Sequence, residues 1–80
     1  MTDKQIITHT NDLAREFYEM QGCVVKPGYK FYLATHPQEV LCWNLAAKAM
    51  EYISNTDVEN ALAECNIVRP DIKDLFDIAR

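Results

Sequence analysis

The amino-acid sequence predicts a mainly α-helical protein: a compact four-helix domain with a short β-hairpin or an extended loop between helices 1 and 2. Two observations predict this class. Apolar residues recur at helical spacings of three and four over most of the chain. Hydrophobic residues make up 49% and charged residues 25% of the 80 residues, which is an ordinary globular composition. Because folding units rarely divide below ~100 residues, we interpret residues 1–80 as one domain.

The first helix is predicted over residues 3–21. Thr2 and Gln5 have the spacing of a capping box, in which the two side chains bond free backbone N–H groups of the first turn. The residues that share one face recur at spacings of four and three: Ile6, Thr10, Leu13, Phe17 and Met20. Gly22 suits the left-handed residue that commonly follows a helix, so the helix is expected to end there.

Residues 23–34 are predicted to form either a short hairpin or an extended loop laid over the helices. Pro27 and Gly28 suit the centre of a type II turn, because Pro fixes φ and Gly accepts a positive φ. The flanks are rich in β-branched and aromatic residues, and a hairpin would place Tyr29, Phe31 and Leu33 on one face. Two strands alone are only marginally stable, so the extended loop stays as the alternative.

The second helix is predicted over residues 37–54, with Thr35 and Gln38 as a second capping box and Pro37 in the first turn. Its residues are apolar around most of the circumference, which is typical of a helix buried on most sides. Its exposed side is reduced to one polar strip: Asn44, Lys48, Glu51 and Asn55. Either the other elements cover this central helix, or a second copy or another protein completes its burial.

Two shorter helices complete the predicted fold. Thr56 and Glu59 form a third capping box that opens a helix over residues 57–65. This helix is expected to bury Val58, Ala61, Leu62 and Cys65. A last helix is predicted over residues 71–79, after Pro70, with Ile72, Leu75, Phe76 and Ala79 turned inward.

Charge and cysteine content limit the function classes. The net charge is −4 and no basic face is visible, so a nucleic-acid partner is not expected. No apolar run approaches the ~20 residues of a membrane span, and no apolar stretch typical of a secretory signal follows Met1 to Gln5. The cysteines are odd in number and widely spaced, as expected for small buried hydrophobes: Cys23, Cys42 and Cys65. We therefore expect a cytoplasmic protein.

The candidate chemistry does not favour an enzyme, a metal or a cofactor. Structural zinc sites use ligand pairs at short spacing, whereas the closest His and Cys here are His36 and Cys42, six residues apart. Cys42 lies mid-helix beside Trp43, where an inert buried thiol is expected. A pairing of Cys23 with His36 or His9 stays open as a third class, a small enzyme or metal-dependent factor.

The surface expected to bind a partner combines tyrosines with the polar strip of the second helix. Tyr18 lies off the apolar face of the first helix, and Tyr32 lies opposite Phe31 if the hairpin forms. Exposed tyrosines are favoured at protein interfaces. The candidate interaction residues are Tyr18, Tyr32, Asn44, Lys48, Glu51 and Tyr52.

Four segments carry a resemblance, in this order: residues 28–31 (GYKF), 35–39 (THPQE), 42–46 (CWNLA) and 56–62 (TDVENAL). In these motifs the chain resembles short orphan proteins encoded by tailed bacteriophages and prophages. The resemblance implies a bacterial cytoplasm and an accessory, host-directed role. The expected function is a small acidic non-enzymatic interaction module that binds or inhibits a host protein. The alternative is a self-associating structural protein, a homodimer through helix 37–54.

Overall fold

The computed structural model describes residues 2–70 and is mainly helical, as predicted. It contains three α-helices, α1 (Asp3–Met20), α2 (Pro37–Ser54) and α3 (Val58–Glu64), and one 3₁₀ turn at Phe31–Leu33. Residues 2–70 contain no β-strand. The hairpin predicted over residues 23–34 is therefore wrong, and the alternative, a loop, is observed. The predicted fourth helix, residues 71–79, lies outside the described residues.

The capping box at the start of α1 is confirmed. The Gln5 backbone N–H donates to Thr2 Oγ1 at 3.2 Å, and the Thr2 backbone N–H donates to Gln5 Oε1 at 2.9 Å. Gly22 has a φ of +87°, a left-handed conformation that L side chains rarely adopt. The helix therefore stops two residues before this glycine, within one residue of its predicted end.

The loop replaces the hairpin because Asn11 bonds its backbone. Asn11 Nδ2 donates to the Tyr29 carbonyl oxygen at 2.8 Å, and the Phe31 N–H donates to Asn11 Oδ1 at 2.7 Å. One side chain of α1 thus takes the place of a strand partner. The turn at Pro27-Gly28 is present, with a φ of +78° at Gly28. Phe31 is fully buried, which anchors the loop in the core.

The second and third predicted capping boxes are wrong, although α2 has the predicted bounds and α3 differs by one residue at each end. The N-cap of α2 is His36, whose Nδ1 accepts the Gln38 N–H at 3.2 Å. Pro37 occupies the first helical position, which places Thr35 outside the helix. The N-cap of α3 is Asp57, whose carboxylate accepts the Asn60 N–H at 3.0 Å. Thr56 instead donates its hydroxyl to the Ser54 carbonyl oxygen.

The core forms where α1 and α2 run antiparallel and α3 packs against both. The end of α1 lies beside the start of α2, since Gln21 Nε2 is 3.4 Å from Cys42 Sγ. Trp43, at the centre, is fully buried with Tyr32 edge-on to its ring at 5.5 Å. The other buried apolar residues around it include Ile7, Ala14, Phe31, Ala46, Met50 and Leu62. Thr10 is buried as well, and its hydroxyl donates to the Ile6 carbonyl oxygen.

The prediction that α2 is buried on most sides is wrong for the described residues. The polar strip Asn44, Lys48, Glu51 and Asn55 is exposed as expected. Beside it, however, Leu41 and Leu45 are 50% and 48% exposed and Tyr52 is 81% exposed. The reason is that α1, α3 and the loop all pack on the Trp43 side of the helix. The prediction of three buried cysteines holds for Cys42 only, because Cys23 and Cys65 are half-buried.

Candidate functional site

Two groups of side chains outside the apolar core are candidates for a functional site, and both include residues of α2. The first, which we call the tyrosine clamp, consists of Tyr18, Tyr29 and Glu39. The Tyr29 hydroxyl donates to one carboxylate oxygen of Glu39 at 2.5 Å, and the Tyr18 hydroxyl donates to the other at 3.3 Å. Glu39 lies in the first turn of α2, where the helix dipole favours negative charge. The clamp ties α1 and the loop to the start of α2.

The pKa values of the two clamp tyrosines suit hydrogen-bond donation to Glu39 rather than proton transfer. Desolvation and the Glu39 carboxylate raise the pKa of Tyr18 and that of Tyr29 to about 12 each. Both hydroxyls are therefore protonated donors at neutral pH. The space that the clamp residues line with Val24, Val25 and Lys26 is about 270 Å³. The Glu39 carboxylate that borders this space already accepts hydrogen bonds from Tyr18 and Tyr29.

The thiols beside the clamp are held by glutamine side chains. Gln38 Nε2 lies 2.5 Å from Gln21 Oε1 and 3.6 Å from Cys23 Sγ, and Gln21 Nε2 donates to Cys42 Sγ. Burial raises the pKa of the Cys42 thiol, an effect that the Gln21 amide partly opposes. A protonated thiol is a poor nucleophile, so this geometry does not favour catalysis by Cys42.

Neither histidine forms a hydrogen bond with Cys23 or Cys42 among the described residues. His36 uses Nδ1 to cap α2, and His9 is exposed on α1. The sequence leaves open a pairing of Cys23 with either histidine, but within residues 2–70 the hydrogen-bond partner of Cys23 is Gln38. Among residues 2–70, no three His, Cys, Asp or Glu side chains lie close enough together to hold a metal ion.

The second region, which we call the outer face of α2, consists of Leu41, Leu45, Lys48 and Tyr52. Their spacings of four, three and four place the four side chains within about 60° of the helix circumference. The two leucines are about half exposed and Tyr52 is almost fully exposed. A soluble domain normally buries large apolar side chains in such a stripe, so their joint exposure marks a candidate binding surface.

Lys48 and the polar residues beside the outer face have partners within the chain. Lys48 Nζ is 3.7 Å from a carboxylate oxygen of Glu51 and 5.8 Å from the centre of the Tyr52 ring. Asn44 Oδ1 accepts a hydrogen bond from Arg69 at 3.3 Å. A shallow groove of about 330 Å³ separates this side of α2 from Asp57 and Glu59. The arrangement suits contact with a protein surface more than enclosure of a small molecule.

The structure brings together four of the six residues that the sequence predicts for binding: Asn44, Lys48, Glu51 and Tyr52. The other two lie elsewhere. Tyr18 is half-buried in the tyrosine clamp and edge-on to Phe31 at 5.6 Å. Tyr32 is half-buried against Trp43. Both rings therefore contribute to packing.

Sequence reasoning missed Leu41 and Leu45 on the outer face and Glu39 in the clamp. The leucines were counted with the buried apolar residues of the helix. Their spacing to Lys48 and Tyr52 was the available signal, because it defines a stripe directly beside the polar strip. No comparable signal pointed to Glu39, whose partners come from positions 10 and 21 residues away.

The fold and the outer face define a small three-helix unit, over residues 2–70, with one exposed apolar helix face. A scan against protein-family models gives no match to this chain, and no curated protein and no solved structure matches it. None of the helices between residues 2 and 70 has the length and apolarity needed to span a bilayer.

Proposed function

We propose that this protein is a small acidic, non-enzymatic interaction module that binds another protein chain through the outer face of α2. The observation that supports the proposal is the exposure of Leu41, Leu45 and Tyr52 in one stripe. Leucine and tyrosine side chains in such a stripe bury apolar area when a partner helix covers them. The polar strip beside them supplies the rim that protein interfaces commonly have.

The polar clusters support a non-enzymatic role. In the tyrosine clamp each hydroxyl donates to Glu39, and the raised pKa values of Tyr18 and Tyr29 keep those hydroxyls protonated. The Cys42 thiol is buried and also has a raised pKa. The clamp holds the loop in place, and neither the clamp nor Cys42 offers an activated base or nucleophile.

The resemblance to phage and prophage proteins supports a bacterial cytoplasm as the setting, and a host protein is one partner that it suggests. A second copy of the chain is the other. The proposed function requires only that the outer face binds protein, so one experiment covers both. The tagged protein is mixed with bacterial lysate and, separately, with an untagged copy, and the stoichiometry of what is retained is measured.

The test compares the wild type with Leu41→Ser/Tyr52→Ala, which we expect to lose stoichiometric binding while keeping its helix content. The matched control is Met20→Ala/Val24→Ser, because these two residues are 81% and 95% exposed but lie outside α2. The control is expected to bind as the wild type does. Equal binding by both variants, or equal loss, would contradict the proposal.

A further inference from the structure

We infer that the occupant of the outer face is a second copy of this chain, with the two α2 helices antiparallel about a two-fold axis that passes between residues 46 and 47. The inference rests on the proposed function and names its partner. Three observations carry it: the symmetry of the stripe, the sizes of the side chains that would meet, and the charge of the face.

The spacing of the outer face is the same in both directions along α2. Leu41, Leu45, Lys48 and Tyr52 are separated by four, three and four residues, so an antiparallel copy aligns every member with a member of the other stripe. Leu41 then lies opposite the second copy's Tyr52, and Leu45 lies opposite its Lys48. A two-fold interface uses the same patch twice and requires this kind of self-complementarity.

The opposing side chains are matched in size and character. Each half-exposed Leu41 meets a Tyr52 ring, which is 81% exposed and free to cover it. Each half-exposed Leu45 meets the aliphatic stem of Lys48, whose ammonium group stays at the edge of the interface beside Glu51. The dimer therefore covers the exposed apolar side chains of the face and leaves the lysine charge in water.

The charge of the face also fits a second copy. The protein as a whole carries −4, yet after its first turn α2 carries only two charged residues, Lys48 and Glu51. These form an exposed ion pair with each other, so the charge of Lys48 on the outer face is balanced by Glu51 beside it. A strongly acidic partner would find no unpaired positive charge there, whereas in two copies each Lys48 keeps Glu51 of its own chain as counter-charge.

The small extent of the face predicts a weak dimer. From Leu41 to Tyr52 the stripe extends about 16 Å along the helix. A standard interface covers about 800 Å² and 20–30 residues on each partner, which is more than one such helix face offers. We therefore expect a weak dimer that forms only in concentrated solutions.

Sedimentation equilibrium on the full chain, from about 10 µM to about 1 mM, tests the inference. The wild type is expected to pass from the monomer mass towards twice that mass. Leu41→Glu and Tyr52→Lys are each expected to weaken self-association at least about tenfold, because each puts a charge against an apolar side chain. Far-UV circular dichroism confirms that each variant keeps its helices.

The double variant Leu41→Glu/Tyr52→Lys decides the register. In the antiparallel dimer its glutamate faces the lysine of the other copy, so the double variant should associate more tightly than either single variant. In a parallel pair glutamate would face glutamate and lysine would face lysine, and the double variant would be weaker than both. The latter result would overturn the inference.

The remaining outcomes separate this inference from the proposed function. A wild type that stays monomeric up to about 1 mM overturns the dimer. If lysate binding still depends on Leu41 and Tyr52 in that case, the outer face binds a different protein and the proposed function stands. If neither self-association nor lysate binding depends on them, both proposals are wrong.

Discussion

The tyrosine clamp and the outer face use the same helix in opposite ways. At the clamp, Glu39 accepts hydrogen bonds from Tyr18 and Tyr29, so its polar groups are satisfied within the chain. On the outer face, Leu41 is half exposed and Tyr52 is almost fully exposed. The two roles of α2 therefore use different residues: its inner side and first turn hold the fold, and its exposed outer side is the surface proposed to bind a partner.

The largest effect is expected in the core that the inner side of α2 builds. Trp43→Ala removes a fully buried ring, and such truncations typically cost about 3–5 kcal/mol. Tyr52→Ala, on the outer face, should change the free energy of unfolding by less than about 0.5 kcal/mol. Urea unfolding followed by circular dichroism measures both. Similar losses for the two variants would remove the distinction between the inner and outer sides.

The next largest effect is expected where α1 holds the loop. Asn11→Ala leaves the Tyr29 carbonyl and the Phe31 N–H without their side-chain partner, at a cost of about 1–3 kcal/mol. Asn44→Ala is the control, because Asn44 is exposed and accepts one bond from Arg69. Urea unfolding should show little change for the control. A stable Asn11→Ala variant would mean that the loop is fixed mainly by Phe31.

The tyrosine clamp predicts a loss of stability at high pH. Tyr18 and Tyr29 have pKa values of about 12 in the folded protein against 10.0 ordinarily. A pKa raised by folding means that the contribution is complete below pH 10 and is lost as the pH rises from about 10 through about 12. Unfolding free energies measured across this range should fall less steeply in Tyr18→Phe/Tyr29→Phe than in the wild type. Parallel profiles would contradict the bonding at Glu39.

The smallest effect on stability is expected at Lys48. Its ion pair with Glu51 is exposed, and such pairs contribute about 0–1 kcal/mol. Lys48→Met should therefore leave the unfolding midpoint nearly unchanged. It should, however, strengthen self-association severalfold, because the outer face then becomes apolar throughout its length. Sedimentation equilibrium beside thermal unfolding checks both results, and weaker association would argue against contact at this position.

The sequence predicted some residues of the candidate site and missed others. Asn44, Lys48 and Glu51 were predicted to be available because helical spacing places them in the polar strip of α2, and Tyr52 was one of three tyrosines expected to be exposed. Leu41 and Leu45 belong to the same side, but an apolar residue on a helix is exposed only if no neighbour covers it. Tyr18 and Tyr32 were predicted to bind a partner and instead pack on Phe31 and Trp43.

By itself, the sequence determined the mainly helical class, the bounds of α1 and α2, and the turn at Gly28. These depend on bonds and spacings within a few residues, which the sequence contains directly. Only the tertiary structure decided the form of residues 23–34, because the bonds from Asn11 cross 18 and 20 positions of the chain. It also decided which side of α2 stays exposed, since burial depends on where α1, α3 and the loop pack.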